Sequence, residues 1–146
     1  MKVQVREYDR APIEIVASRL SAPILTFVGP GNAWRLEEPY AYADGDHAIT
    51  VPEGFLFDLA SIPRAFWWLV SPFELSIAAP LLHDFLYQHA GVPPAGSIKP
   101  PRTYSRSEAD RLFLHMMETE GVPGWRRGPA YAAVRAFGWL GWRKAS

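Results

Sequence analysis

The sequence contains no cysteine, which excludes several kinds of site at once. Without a thiol, the chain has no disulfide framework, no thiolate zinc site and no cysteine nucleophile. Any metal ion must therefore be held by histidine, carboxylate or carbonyl groups. The absence of cysteine is also in keeping with a reducing compartment.

The sequence also lacks a long hydrophobic run. The longest wholly apolar segment, Ala65 to Val70, is far too short to span a bilayer. The N-terminus has a basic start but no apolar core of the kind that signal peptides carry. We therefore expect a soluble protein with no transmembrane segment that is not secreted by a signal peptide.

Acidic residues are missing from one end of the chain. The formal net charge is zero, but residues 121–146 hold five basic residues, five aromatic residues with them, and no acid. Either the aromatic side chains pack on the core while the arginines stay solvated, or the segment faces phosphate, lipid headgroups or an acidic partner. Because the whole chain is neutral and shows no recognition motif, no nucleic-acid partner is expected.

The composition fits one compact domain, residues 1–146, since 49% of the residues are hydrophobic. Up to about residue 64, short β-favouring runs alternate with Pro, Gly, Asp and Asn, which predicts an antiparallel β-meander or a small barrel-like sheet. Hairpin connections are predicted at 29–32 and 44–46. The predicted strand runs are 3–5, 13–16, 24–28, 33–36, 40–42 and 49–51.

From about residue 65 to residue 146 the hydrophobic period becomes helical and predicts about three α-helices. The first runs over about 76–89, with Pro80 tolerated near its first turn. The second covers about 105–121, where Ser105 and Glu108 have the spacing of a capping box. The third covers about 129–142, with Pro129 in its first turn. The predicted fold class is therefore α+β.

Two of these helices carry ionisable residues inside an apolar pattern. His83 and Tyr87 lie one turn apart on one helix, and Asp110 lies on the apolar face of the next. A buried carboxylate needs a donor, and His83 or Tyr87 can supply it. An Asp that accepts from one ring nitrogen lets the other nitrogen take a proton from water, as in many hydrolases. We therefore predict His83 as a base, Asp110 as its orienter and Tyr87 as support.

Asp84 and Asp58 are the candidate metal ligands. Asp84 follows His83 on the helix and could hold Ca²⁺ or another divalent cation that polarises a carbonyl. Asp58 leaves a predicted strand, where it either completes that site, caps a turn or pairs with Arg64. The whole cluster also has a structural interpretation, because a His–Asp–Tyr network can fix helix packing without any substrate.

Several motifs in a fixed order resemble one known family. They are the residues at 51–55, 58–64, 66–67 and 78–87, followed by Ser105-Arg106 and Ala109-Asp110. Over about residues 20–140 this order resembles the family called domain of unknown function 1353, whose members are common in tailed bacteriophages and prophages. Phe57 departs from the pattern, which has a small polar residue there. The resemblance implies a phage protein that is made in the host cytoplasm and associates with the virion.

A second resemblance concerns mechanism. His83-Asp84-x-x-Tyr87 with Asp110 on the next helix is similar to the helix pair of the phospholipase A2 superfamily. There the His activates water, the adjacent Asp binds Ca²⁺ and the second Asp orients the His. This chain lacks that family's cysteines and has no Gly-rich calcium loop directly before the helix. The resemblance implies lipid or other ester hydrolysis.

Two functions from different classes follow. The first is a phage or prophage hydrolase that acts on host envelope lipid or another envelope ester or amide. The second is a non-enzymatic virion or tail-associated assembly protein that docks on other phage structural proteins through its β half or its aromatic C-terminal segment. Solvent access to His83 separates the two, because an enzyme needs that ring at the floor of a pocket.

Overall fold

The structure is a computed structural model, and it describes residues 23–28, 34–57 and 78–142. Antiparallel strands occupy the first two of these ranges, and helices occupy most of the third. The strands are β1 (Leu25–Phe27), β2 (Trp34–Leu36), β3 (Tyr40–Asp44), β4 (His47–Val51), β5 (Leu56–Phe57) and β6 (Ile98–Lys99), and the helices are α1 (Ala78–Gln88), α2 (Arg106–Thr119) and α3 (Gly124–Phe137). The predicted α+β class is confirmed.

The described strands form two three-stranded antiparallel sheets, in the orders β1-β2-β5 and β3-β4-β6. The predicted connection at 44–46 is confirmed as a hairpin, since Asp44 pairs with His47. Gly45, between them, adopts a φ of +59°, which a two-residue turn of this kind requires. The predicted runs at 3–5 and 13–16 and the turn at 29–32 lie outside the described residues.

The third strand of each sheet distinguishes the fold from one continuous meander. β5 pairs with β2 rather than with β4, and β6 joins β4 although α1 separates them in the chain. β6 falls in a stretch rich in Pro, Gly and Lys, so it was not predicted. Its two residues are too few to show a strand period, and the pairs Ala48–Lys99 and Ile49–Ile98 define its register against β4.

Helix α1 lies at the centre of the hydrophobic core. All ten residues from Ala78 to Tyr87 are buried, which accounts for the nearly continuous apolar sequence of this helix. It packs against α2 and β5. Because α1 has no solvent face over this length, its polar residues His83 and Asp84 must find partners inside the protein.

Helix α2 begins and ends as its sequence predicts. The Ser105 hydroxyl accepts from the backbone N–H of Glu108, and the Glu108 carboxylate accepts from the backbone N–H of Ser105, which completes the capping box. At the other end Gly121 adopts a φ of +81°. The backbone N–H of Val122 then donates to the Met117 carbonyl, as in a Schellman motif.

Replacing Ser105 with alanine should lower the free energy of unfolding by about 1 kcal/mol, because one backbone donor loses its cap. Urea denaturation followed by circular dichroism measures the change. Ser97→Ala is the comparison, since Ser97 lies in a loop and caps no helix. Equal losses in the two variants would show that the cap does not stabilise α2.

The predicted start of the third helix is wrong. We expected it near Pro129, but α3 begins at Gly124, and Pro123 is its N-cap residue. The backbone N–H groups of Arg126 and Arg127 both donate to the Pro123 carbonyl, so the first turn closes well before Pro129. The helix ends in a short 3₁₀ turn over Gly138–Leu140. In the described part of the chain, no helix has the length and apolarity needed to cross a bilayer.

Candidate functional site

Helices α1 and α2 bring His83 and Tyr87 against the carboxylate of Asp110. The Nε2 atom of His83 lies 2.7 Å from Asp110 Oδ1, and the Tyr87 hydroxyl donates to the same oxygen at 2.5 Å. The site is buried, with 2% of His83 and none of Asp110 or Tyr87 exposed. The contact expected from the sequence is present, and both candidate donors reach the carboxylate.

Two arginines face the second oxygen of the Asp110 carboxylate. Arg135 on α3 donates from Nη1 to Oδ2 at 2.7 Å, and Arg106 Nη1 lies 3.6 Å from the same oxygen. Arg106 also donates to the backbone carbonyl of Val134 at 3.0 Å. The carboxylate therefore has two neutral donors on one oxygen and two cations at the other, and it joins all three described α-helices.

Sequence reasoning missed both arginines and misjudged the C-terminal segment. Arg135 bonds to Asp110, Arg127 donates to the Val122 carbonyl at 2.7 Å, and Arg126 is buried. The expectation that these arginines stay solvated is therefore wrong, because α3 packs against α2 and turns them towards the protein. Arg106, one turn before Asp110, could have been found from its spacing. Arg135 gives no local signal.

The Asp110 carboxyl is held in its ionised form. Burial by itself raises its pKa, but the hydrogen bonds from His83, Tyr87 and Arg135 outweigh burial and keep the pKa below the usual value. An ionised carboxylate can only accept hydrogen bonds. Every group around it must therefore donate.

The ionised Asp110 fixes the state of the His83 ring. Burial lowers the pKa of His83, and this effect exceeds the opposing effects of the hydrogen bond and negative charge of Asp110, so the ring is neutral at pH 7. Because Asp110 can only accept, the ring proton lies on Nε2 and is donated to Oδ1. The lone pair consequently lies on Nδ1. A neutral imidazole of fixed tautomer is the form that a general base requires.

Aromatic packing holds the His83 ring in place. The ring centroid lies 4.1 Å from that of Tyr87 and 4.7 Å from that of Phe113. On the far side of Tyr87, a Cβ atom on Gly138 would come within 2.5 Å of the tyrosine hydroxyl. Burial raises the pKa of Tyr87 well above its usual value, and Asp110 adds to that effect, so the phenol remains a donor.

The Asp84 side chain is hydrogen-bonded outside the network around Asp110. It is buried, and its Oδ2 atom accepts from the Gln88 amide at 2.8 Å, while the same amide donates to the Leu56 carbonyl at 2.9 Å. Among residues 23–28, 34–57 and 78–142, no three histidine or carboxylate side chains cluster as metal ligands. Asp58 lies outside these ranges. Within these ranges Asp84 therefore does not have both a second and a third carboxylate beside it to share a Ca²⁺ ion.

The low pKa of His83 should make stability depend on pH. Between its folded pKa and its ordinary value of 6.5, the unfolded chain binds a proton that the folded chain does not. The contribution of His83 to stability is thus complete above pH 6.5 and is lost as the pH falls. We expect the unfolding free energy to drop by up to about 1.4 kcal/mol per pH unit on this account.

Urea denaturation from about pH 5 to pH 8 measures this slope in the parent and in His83→Gln. Burial also lowers the pKa of His89, so some slope should remain in the variant. His89→Gln is the matched comparison, and it should remove the smaller part, because His89 is only partly buried. An unchanged slope in His83→Gln would contradict the neutral state assigned to the ring.

The described structure is that of an α+β protein whose helices enclose a buried His–Asp pair. The sequence profile of the family described as "Protein of unknown function (DUF1353)" matches residues 34–134, which is more than half of the chain. The chain belongs to this family, as the order of its motifs predicted. The match includes His83, Tyr87 and Asp110 and ends one residue before Arg135.

One relative extends the comparison. Over 92 residues the chain is 35% identical to the protein named "Uncharacterized protein y4jT" of Sinorhizobium fredii. This match covers 60% of the present chain and 23% of the relative, so the chain corresponds to about a quarter of that relative's length. No solved structure matches the chain.

Proposed function

We propose that this protein is a hydrolase in which His83 is the general base and Asp110 orients it. One observation carries the proposal. The neutral His83 ring donates from Nε2 to an ionised carboxylate at 2.7 Å, which places the lone pair on Nδ1. A base held in one tautomer by a buried carboxylate is the arrangement that activates water in many hydrolases.

In the proposed reaction Nδ1 of His83 takes a proton from water while the water oxygen attacks the carbonyl carbon of an ester or amide. The imidazolium that forms is stabilised by the negative charge of Asp110. His83 then returns the proton to the leaving alcohol or amine as its bond to the carbonyl carbon breaks. The products are a carboxylic acid and an alcohol or amine, and the ring regains its neutral form.

The other members of the site act through Asp110. Tyr87 and Arg135 donate to the two oxygens of Asp110 and keep the carboxylate from rotating, and their hydrogen bonds add to that of His83 in keeping it ionised. Tyr87, Arg135 and Arg106 are therefore positioning residues in this proposal. Only 2% of His83 is exposed, so the ring does not lie at the floor of an open pocket as expected for an enzyme. The proposed reaction therefore requires a motion that admits water and substrate to Nδ1.

Host envelope lipid, or another envelope ester or amide, is the proposed substrate. The support is the sequence resemblance of His83, Asp84, Tyr87 and Asp110 to the phospholipase A2 helix pair. Phage or prophage origin, synthesis in the host cytoplasm and association with the virion belong to the same proposal. Their support is the order of motifs that places the chain in its family.

A divalent metal, with Ca²⁺ as the first choice, remains part of the proposal through Asp84 and Asp58. Calorimetric titration of Ca²⁺, Zn²⁺ and Mn²⁺ into metal-free protein tests it, with a folded Asp84→Asn variant alongside. Binding that is lost in Asp84→Asn supports ligation by this residue. Absence of binding to the parent protein removes the metal and leaves the His83–Asp110 base as the whole proposal.

Chemical modification of His83 tests the proposed base without knowledge of the substrate. Diethyl pyrocarbonate acylates neutral histidine rings that it can reach, and peptide mass spectrometry measures the rate at each ring. We expect His83 to react measurably, although more slowly than the exposed His115, because the site must open during turnover. Full protection of His83 while His115 reacts would overturn the hydrolase proposal and favour a sealed packing network.

Hydrolysis itself is measured in parallel with p-nitrophenyl butyrate and with phosphatidylglycerol vesicles. His83→Gln should abolish product formation while its circular dichroism spectrum stays that of the parent. Tyr87→Phe should retain part of the activity, since it removes one positioning hydrogen bond and leaves the base. Equal rates in the parent and His83→Gln would exclude His83 as the base.

A non-enzymatic virion or tail-assembly role is the second candidate, and one observation favours it. Trp125, Trp139 and Leu140 are each more than 60% exposed, which is unusual for apolar side chains of this size and is typical of contact surfaces. Mass spectrometry of purified particles tests this role. A Trp139→Ser variant that folds but is lost from the particles would support it, and absence of the parent protein from the particles would contradict it.

A further inference from the structure

An open cleft of about 300 Å³ lies between the end of β3, the loop before α2 and the outer face of α2. It is lined by Asp44, Arg102, Tyr104, Glu108, Arg111, Leu112 and His115. On α2, His115 lies five residues after Asp110, which turns it about 140° away around the helix. The cleft is therefore on the opposite side of α2 from the His83–Asp110 pair.

Ion pairs and hydrogen bonds among the lining residues hold the wall of the cleft in place. Arg102 donates to Asp44 at 3.2 Å and to Glu108 at 3.1 Å, and its guanidinium lies 4.1 Å from the centre of the Tyr104 ring. The Tyr104 hydroxyl donates to the same oxygen of Asp44 at 2.5 Å. Tyr104 is almost fully buried, so this wall is anchored in the core.

The two acids of the cleft are thereby neutralised within the protein. The second oxygen of Glu108 accepts from the backbone N–H of Ser105 in the capping box. One cation, Arg102, is shared between Asp44 and Glu108. Both carboxylates are therefore already committed to donors of the protein, and neither is a strong site for an incoming cation.

The side chains of Arg111 and His115 differ from these carboxylates, because neither is bonded to another described residue. They lie four residues apart on α2 and so project from the same face. Both are exposed, and no hydrogen bond or ion pair joins either side chain to another residue of the described ranges. Arg111 offers five N–H donors in a planar fork, and His115 adds one or two more.

We propose that this cleft binds a small oxyanion-bearing ligand through Arg111 and His115, with the wall formed by Arg102 and Tyr104 behind it. The shared chemistry is a phosphate or carboxylate group, which the guanidinium fork recognises with two parallel hydrogen bonds. Leu112 is the one aliphatic side chain in the lining, so the ligand is polar. The volume corresponds to a small molecule. This site is independent of the proposed hydrolysis.

Calorimetric titration with inorganic phosphate and with succinate tests the proposal at an ionic strength of about 0.15 M, which screens diffuse attraction. We expect millimolar or tighter binding of at least one probe, weakened at least about 10-fold in Arg111→Gln. Lys99→Gln is the matched control, because it removes an exposed cation outside the cleft. It should change the affinity less than about twofold.

The two probes separate the sources of the oxyanion. Binding of phosphate alone indicates a phosphorylated ligand, and binding of succinate alone indicates a carboxylate ligand. A His115→Asn variant provides a second test, since the loss of one donor should weaken the same probe. Absence of binding for both probes, or equal affinities in the parent and Arg111→Gln, would overturn the proposal.

Discussion

Replacing Asp110 with asparagine is expected to lower the free energy of unfolding by about 3 kcal/mol, because a fully buried carboxylate loses its charge while the arginines that face it are only partly exposed. The substitution keeps the shape of the side chain but removes the charge that Arg135 and Arg106 face. The new amide nitrogen also brings two donors to a site where every neighbour already donates. His83 can accept from this amide only if its proton moves to Nδ1, so the variant loses either a hydrogen bond at the site or the tautomer assigned to the ring.

Urea denaturation at pH 7 measures this loss. Glu118→Gln is the matched control, since it removes an exposed carboxylate from the same helix and should change stability by less than about 0.5 kcal/mol. A loss below about 1 kcal/mol in Asp110→Asn would show that the network around the carboxylate adds little to stability. The result bears on both proposed functions, because both need this network to hold three helices together.

Gly91→Ala has the second large expected effect, a loss of about 2–5 kcal/mol. Gly91 adopts a φ of +80°, and a Cβ atom there would lie 1.7 Å from the carbonyl oxygen of Tyr104. That carbonyl cannot move away easily, because the backbone N–H of Tyr104 donates to the Gly91 carbonyl at 2.9 Å. The contact ties the end of α1 to the start of α2.

A second glycine separates the two causes of this loss. Gly96 has a φ of +87°, but no described atom lies within 4 Å of a Cβ placed there. Gly96→Ala should therefore cost only the strain of the left-handed conformation, about 1–2 kcal/mol. Urea denaturation of both variants measures the difference. Equal losses would show that backbone conformation alone, and not the contact with Tyr104, demands glycine at position 91.

Much of the local structure follows from the sequence, because its signals lie within a few residues of one another. Ser105 and Glu108 define the start of α2 by bonding across three residues, and Gly121 defines its end by its backbone conformation. The hairpin at 44–46 follows from its turn residues Asp44, Gly45 and Asp46, which lie next to one another in the chain. Such features depend on neighbours in the chain, so a single sequence contains the information that they need.

The predictions that were wrong or missing concern elements whose structure depends on contacts between residues far apart in the chain. Pro129 predicts a helix start, but packing of α3 on α2 carries the helix back to Gly124, and the proline lies inside it. The pairing of β6 with β4 joins residues about fifty positions apart. Two residues cannot show a strand period by themselves, so tertiary contact alone makes this segment a strand.

In the candidate site, too, some contacts follow from the sequence and others from the packing of the helices. The sequence by itself determined that His83 and Tyr87 share a face of one helix and that Asp110, on an apolar face of another, needs a donor, because helical period and burial fix both points. Only the tertiary structure decided that Arg135 and Arg106 meet the second carboxylate oxygen, since α3 must pack against α2 to bring Arg135 there. The hydrogen bonds from His83 and Tyr87, together with that from Arg135, keep Asp110 ionised, which fixes the proton of His83 on Nε2.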